Sequence, residues 1–64
     1  MKQKYYVTLF PHYGGQRYYE TDRDINLVIQ EHEAMWDYLI VEDQDGNEIY
    51  RTYGLENFLK THRH

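Results

Sequence analysis

Hydrophobic and polar positions alternate at the start of this chain, change period in its middle and alternate again beyond it. Tyr5–Phe10 is rich in β-branched and aromatic residues, and period-two alternation puts Tyr5, Val7 and Leu9 on one face and Tyr6, Thr8 and Phe10 on the other. Pro11 has no N–H to give a ladder and Gly14-Gly15 tolerates positive φ, so the stretch from Pro11 through His12 and Tyr13 to Gln16 reads as a turn. Arg17–Thr21 resumes strand character and completes a hairpin. Ile25, Val28, Ile29, His32, Met35 and Trp36 then recur at the spacing of one helix face. Thr21-Asp22-Arg23-Asp24 offers N-cap side chains, with acids suited to the positive end of the dipole. Ile25, Leu27 and Ile29 also fit a strand, but the helical pattern accounts for twelve residues and the strand for five. A helix over Asp24–Met35 is expected, with a strand at 25–29 as the alternative.

Tyr38–Glu42 reads as a strand, Asp43-Gln44-Asp45-Gly46-Asn47 as a tight turn and Glu48–Thr52 as the returning strand. After Gly54, the residues Leu55, Phe58, Leu59 and His62 form a short helical stripe, with Glu56 near its start and Lys60 and Arg63 near its end. The expected fold is α+β in the order ββαββα: one domain over 1–64, with a single antiparallel sheet of about four strands. One amphipathic helix packs on the sheet and a short C-terminal helix closes an end. The expected core is Val7, Leu9, Tyr19, Ile25, Val28, Ile29, Trp36, Leu39, Val41, Ile49, Phe58 and Leu59.

Length limits that core. A chain of 64 residues buries only about 60% of the surface it exposes when unfolded. Disulfides and thiolate zinc sites are excluded because there is no cysteine. A homodimer stays open as a way to enlarge the core. No apolar run approaches the roughly 18 residues of a membrane span, and Met1-Lys2-Gln3-Lys4-Tyr5-Tyr6 lacks the apolar stretch of a signal peptide. A cytoplasmic protein without membrane contact is expected.

Charge changes the picture most. Between Thr21 and Tyr50 lie nine carboxylates (Asp22, Asp24, Glu31, Glu33, Asp37, Glu42, Asp43, Asp45 and Glu48) and one base, Arg23, for a formal −8 within a chain of net −4. Such a field repels nucleic acid and attracts basic surfaces. Solubilising charge is the plain reading of a helix's outer face. Uncompensated repulsion, however, points to a basic partner.

The chemistry of catalysis finds little material. Serine and cysteine are both absent, which removes the common acyl-transfer nucleophiles, and neither GxxxxGK nor GxGxxG occurs. His12, His32, His62 and His64 invite a metal reading with Glu31 or Glu33, but no HExxH is present, and Glu31-His32-Glu33 would fan out about 100° apart on a helix. His32 falls on the apolar stripe, where a hydrogen-bonded histidine at the core edge is expected, and His62-Arg63-His64 reads as a solvated tail. No enzyme, cofactor or metal is expected. Eight tyrosines raise the alternative of a binding face on the sheet, whether for protein or for stacked bases. Single-strand nucleic-acid binding would need Lys2, Lys4, Arg17, Arg51, Lys60 and Arg63 to form a basic groove.

Tyr6-Val7-Thr8-Leu9-Phe10, a turn containing Gly15, and Gln16-Arg17-Tyr18-Tyr19-Glu20 followed by a helix and a strand resemble the uracil-DNA glycosylase inhibitors of Bacillus phages, over roughly residues 5–49. The chain departs from that pattern after Asp43 by adding a second hairpin and a helix. Its strand–strand–helix–strand order with an acidic helix also resembles small phage inhibitors of bacterial RNA polymerase. The resemblance implies a phage-encoded, non-enzymatic inhibitor that presents carboxylates as a DNA mimic to a basic groove of a host enzyme, with Glu20 among the phosphate-mimicking acids. On the residues themselves, Asp22, Asp24, Glu31 and Asp37 are the further acidic candidates, with Met35 and Trp36 as the apolar anchor. The alternative is a structural or regulatory interaction module that uses its tyrosine-rich sheet.

Overall fold

The expected order of elements is the observed one. In a computed structural model describing residues 3–12 and 14–61, they are β1 (Tyr5–Phe10), β2 (Arg17–Thr21), α1 (Ile25–Ala34), β3 (Tyr38–Glu42), β4 (Glu48–Arg51) and α2 (Leu55–Thr61). His62, expected to end the last stripe, and the tail His62-Arg63-His64 lie outside the described residues, as do Tyr13 of the first turn and Lys2. The contested stretch is helix, not strand. Asp24 is its N-cap, accepting from the Asn26 N–H, and Met35 is its C-cap.

The four strands form one antiparallel sheet in the order β2-β1-β3-β4. Since β2 and β3 both run antiparallel to β1, they are parallel to each other, and α1 carries the chain across β1 between them. The alternation read from sequence decides what α1 covers. Val7, Leu9, Leu39 and Val41 point toward it and bury with Val28, while Tyr5, Tyr19, Ile25, Ile29 and Tyr50 pack around them. Tyr6, Thr8, Phe10, Tyr18, Tyr38 and Ile40 take the other face.

That second face is half covered. The rings of Tyr38 and Phe58 lie 4.5 Å apart, and His12 stacks within 5.8 Å of Tyr38 and 5.4 Å of Phe58. α2 thus closes the Phe10–Tyr38 end, and its Leu55 is fully buried. Beyond α2 the Tyr6 and Tyr18 rings stack at 6.4 Å, with Tyr18 still exposed.

Three expected core residues are corrected. Trp36 is 78% exposed, because it sits past the end of α1 with φ 62 and so falls off the 3.6-residue stripe. Ile49 is exposed because the pairing shifts there: Val41 faces Tyr50 and Glu42 faces Glu48, which leaves Ile49 as the extra residue of a bulge. Leu59 lies at the open margin of α2, whose buried contact is Leu55. Among the described residues no helix is long and apolar enough to cross a membrane.

Candidate functional site

The exposed side of α1 and the loop after it gather most of the residues singled out from sequence. Leu27, Glu31 and Met35 follow one another at i, i+4 spacing, a ridge that is large and apolar at both ends, Leu27 being 52% and Met35 68% exposed. Asp24 begins the same side of the helix and Asp22 precedes it in the connection. Their chemistry differs. The Asp24 carboxylate is engaged in capping. Glu31 receives both terminal nitrogens of Arg23, at 2.8 and 3.1 Å, and this guanidinium holds its carboxyl below the usual glutamate range. Asp22 has no ion pair among the described residues. Glu20 stands apart. It pairs with Tyr6 on the sheet face away from α1, 3.9 Å from the Lys4 ammonium.

At its end α1 stops in a tight arrangement of backbone bonds. The Trp36 N–H donates to the Glu33 carbonyl and the Asp37 N–H to the His32 carbonyl, each at 3.1 Å, with Trp36 in the left-handed region at φ 62. This is the Schellman closure, in which glycine or asparagine ordinarily takes the left-handed position. Here the largest side chain in the sequence occupies it and projects outward.

Opposite Trp36, the segment leaving β4 carries Tyr53, 98% exposed. A cleft of about 200 Å³ lies between, lined by Glu33, Trp36, Asp37, Tyr38, Thr52 and Tyr53. Thr52 fixes that wall: its Oγ1 accepts from the Leu39 N–H at 3.0 Å and donates to the Leu39 carbonyl at 3.3 Å, so a side chain extends the ladder beyond β4. Glu33 accepts a hydrogen bond from the Tyr50 hydroxyl, and this bond with the carboxylate, aided by burial, pushes the phenol up to about 12. Asp37 has no ion pair among the described residues.

The other polar groups serve the fold. Tyr19 Oη and His32 Nε2 share a hydrogen bond of 2.7 Å, as expected for a histidine at the core edge, while His32 Nδ1 is buried without a partner. Burial raises the Tyr19 phenol. The Asp43 carboxylate accepts from the Asn47 and Asp45 N–H groups, each at 2.9 Å, and these bonds, that of Asn47 first, lower it while closing the turn. Arg51 binds Glu48 at 2.7 Å and Glu56 at 3.3 Å, lowering the Glu48 carboxyl. No three metal-ligating side chains converge among the described residues.

Sequence reasoning reached Met35, Trp36 and Asp37 but missed Tyr53, whose only signal was an aromatic ring outside every apolar pattern. Glu33 was read only as a possible metal ligand and as one of the nine acids of the middle stretch, not as a binding residue beside Trp36. No family model, curated protein or solved structure matches the chain.

Proposed function

We propose that this protein is a non-enzymatic binding module that meets a basic surface of a protein partner through the outer side of α1 and the loop following it. The observation that carries the reading is the exposure of Met35 and Trp36, 68% and 78%, beside the Asp37 carboxylate, which has no ion pair among the described residues. Exposed aromatic and methionine side chains next to charge are what an interface centre buries. The acids provide long-range attraction, which acts mainly on the association rate and is screened beyond about 8 Å at physiological salt. A narrower version, supported by the resemblance to phage inhibitors, makes the partner a host DNA-acting enzyme whose basic groove is filled by this DNA-mimicking surface. A cytoplasmic setting belongs to that version, since it holds such partners.

Pull-down from bacterial lysate tests the reading, using the wild type, Glu31→Gln/Asp37→Asn and Trp36→Ala. The double variant should recover less of the partner at low salt, and Trp36→Ala less at every salt concentration. Equal yields from all three would sink it. Release of the captured protein by duplex DNA is the outcome expected of the narrower version.

One observation favours a second reading. Tyr18, 65% exposed and stacked on Tyr6, gives the open sheet face an aromatic platform for another protein. Single-strand nucleic acid is less well served there, because Lys4 faces Glu20 and Arg51 is paired with Glu48 and Glu56.

A further inference from the structure

At the end of α1 the chain departs three times from what would stabilise it alone. Helix C-termini carry a partial negative charge and favour cations, yet Glu33 sits in the last turn and Asp37 just past it, and the basic residue of that turn, His32, is part-buried and engaged with Tyr19. Among the described residues no cation answers either: Arg23 lies on Glu31, Arg51 on Glu48 and Glu56, and Lys4 on Glu20, while Arg17 and Lys60 form no ion pair with either carboxylate. Trp36 occupies a left-handed position at φ 62, which a bulky side chain enters only against steric resistance. Trp36 and Tyr53, from separate segments, leave 78% and 98% of their surface in solvent while lining one cleft. Local conflicts of this kind concentrate where a surface serves something outside the fold.

The unanswered acids and the exposed rings share a single remedy, and the left-handed turn is what carries Trp36 out to where it can serve it. An aromatic face attracts a cation through its quadrupole, carboxylates attract it directly, and the helix end adds its dipole. We propose that this cleft receives one arginine side chain of the partner, its guanidinium lying against Trp36 and Tyr53 and donating to Asp37. Arginine suits the walls better than lysine does. Its planar, weakly hydrated guanidinium stacks on rings and presents a fork matching a carboxylate, whereas an ammonium is a compact, strongly hydrated point charge. Glu33, already accepting from Tyr50, supplies field more than a second fork. The inference rests on the docking reading above and adds the identity of the group at its centre.

Trp36 is the sole tryptophan of the chain, so its emission reports directly on the cleft. The probe is the blocked tripeptide acetyl-Gly-Arg-Gly-amide, titrated against the full chain with fluorescence and amide–proton correlation spectra as readouts. Its citrulline counterpart, neutral and nearly isosteric, and its lysine counterpart run in parallel. Saturable change of Trp36 emission is expected with the arginine peptide, with shifts confined to Glu33, Trp36, Asp37 and Tyr53. Asp37→Asn and Tyr53→Ala should each weaken binding, roughly tenfold for the loss of one well-placed contact, with unperturbed spectra elsewhere; Glu56→Gln should not. Equal response to citrulline overturns the cation site, and equal saturation by lysine overturns the guanidinium assignment. Arginine shifts centred on Asp22 and Asp24 would also overturn it, by showing general acidity instead of a cleft. The two readings fail separately: a partner whose recovery depends on Trp36 but ignores arginine competitor leaves the docking surface standing and removes the cleft's role.

Discussion

Glycine should be a better residue than alanine at position 36, the reverse of its behaviour within α1. Trp36 holds φ 62, where a Cβ crowds the following carbonyl at about 1–2 kcal/mol. Glycine escapes that crowding but gives up about 0.5–1 kcal/mol in additional unfolded-state freedom. Both replacements lose the indole, so its residual contacts cancel in the comparison. Trp36→Gly should therefore exceed Trp36→Ala in stability by about 0.5–1 kcal/mol, at about 4–8 °C of Tm per kcal/mol in a domain of this size. Gln30 is exposed inside α1 and supplies the control: there Gly should fall below Ala by about 1 kcal/mol. Urea denaturation of the four variants, with the slopes compared to confirm an unchanged unfolding reaction, measures both differences. Alanine matching or exceeding glycine at position 36 would mean that Trp36 does not hold the left-handed conformation in solution. The end of α1 would then carry no backbone strain, leaving only its unanswered acids and exposed rings to mark the cleft.

Other consequences test the frame around the site. Leu55→Ala should destabilise the protein by about 2–5 kcal/mol as judged by chemical denaturation, because Leu55 is wholly buried; a negligible change would mean that α2 does not seal the second face. Thr52→Val removes the acceptor of the Leu39 N–H and should lose about 1–3 kcal/mol, with faster hydrogen exchange at Leu39, whereas Thr52→Ser should retain both. Tyr50 sets an alkaline limit. Its phenol, raised from 10.0 to about 12, binds its proton more tightly in the folded state. Its stabilisation is therefore complete below pH 10 and is lost as pH rises through about 12. Urea midpoints across that range should fall less in Tyr50→Phe than in the wild type, and parallel curves would show that the bond to Glu33 does not form.

What could be read from sequence and what could not divide along physical lines. Alternation in Tyr5–Phe10 and Tyr38–Glu42 carries the core because a period of two leaves no freedom in which residues share a face. The helix at 25–34 followed from length, since a strand left Met35 and Trp36 without a pattern. Ile49 was lost to a bulge, which shifts register by one residue and has no reliable mark in a strand of four residues. Trp36 was lost to the helix end. Its spacing is that of a core residue, and only the left-handed turn, normally signalled by glycine, reverses it. At the site, Met35, Trp36 and Asp37 were visible as an apolar pair beside an acid. Tyr53 was not, because its proximity depends on β4 returning beside β3 and on Thr52 pinning the exit of that strand to Leu39.

The acidic middle of the chain looks like one surface in sequence and is several in space. Asp24 caps α1 and Asp43 closes a turn through backbone N–H groups. Glu31 and Glu48 hold guanidiniums, and Glu33 receives the Tyr50 hydroxyl. Each of these carboxylates has a reason internal to the fold. Those without an ion pair or side-chain hydrogen bond among the described residues include Asp22, Asp37, Glu42 and Asp45, and they lie at separate places along the chain. Asp45 sits in the exposed β3–β4 turn and Asp22 in the connection before α1. Glu42 faces Glu48 across the sheet, where like charges oppose one another. Asp37 alone of these lines a cleft with two exposed rings. A formal charge of −8 over thirty residues would attract many basic surfaces without distinguishing them. Discrimination requires a place where charge, shape and exposed aromatic area coincide, and the end of α1 provides that coincidence.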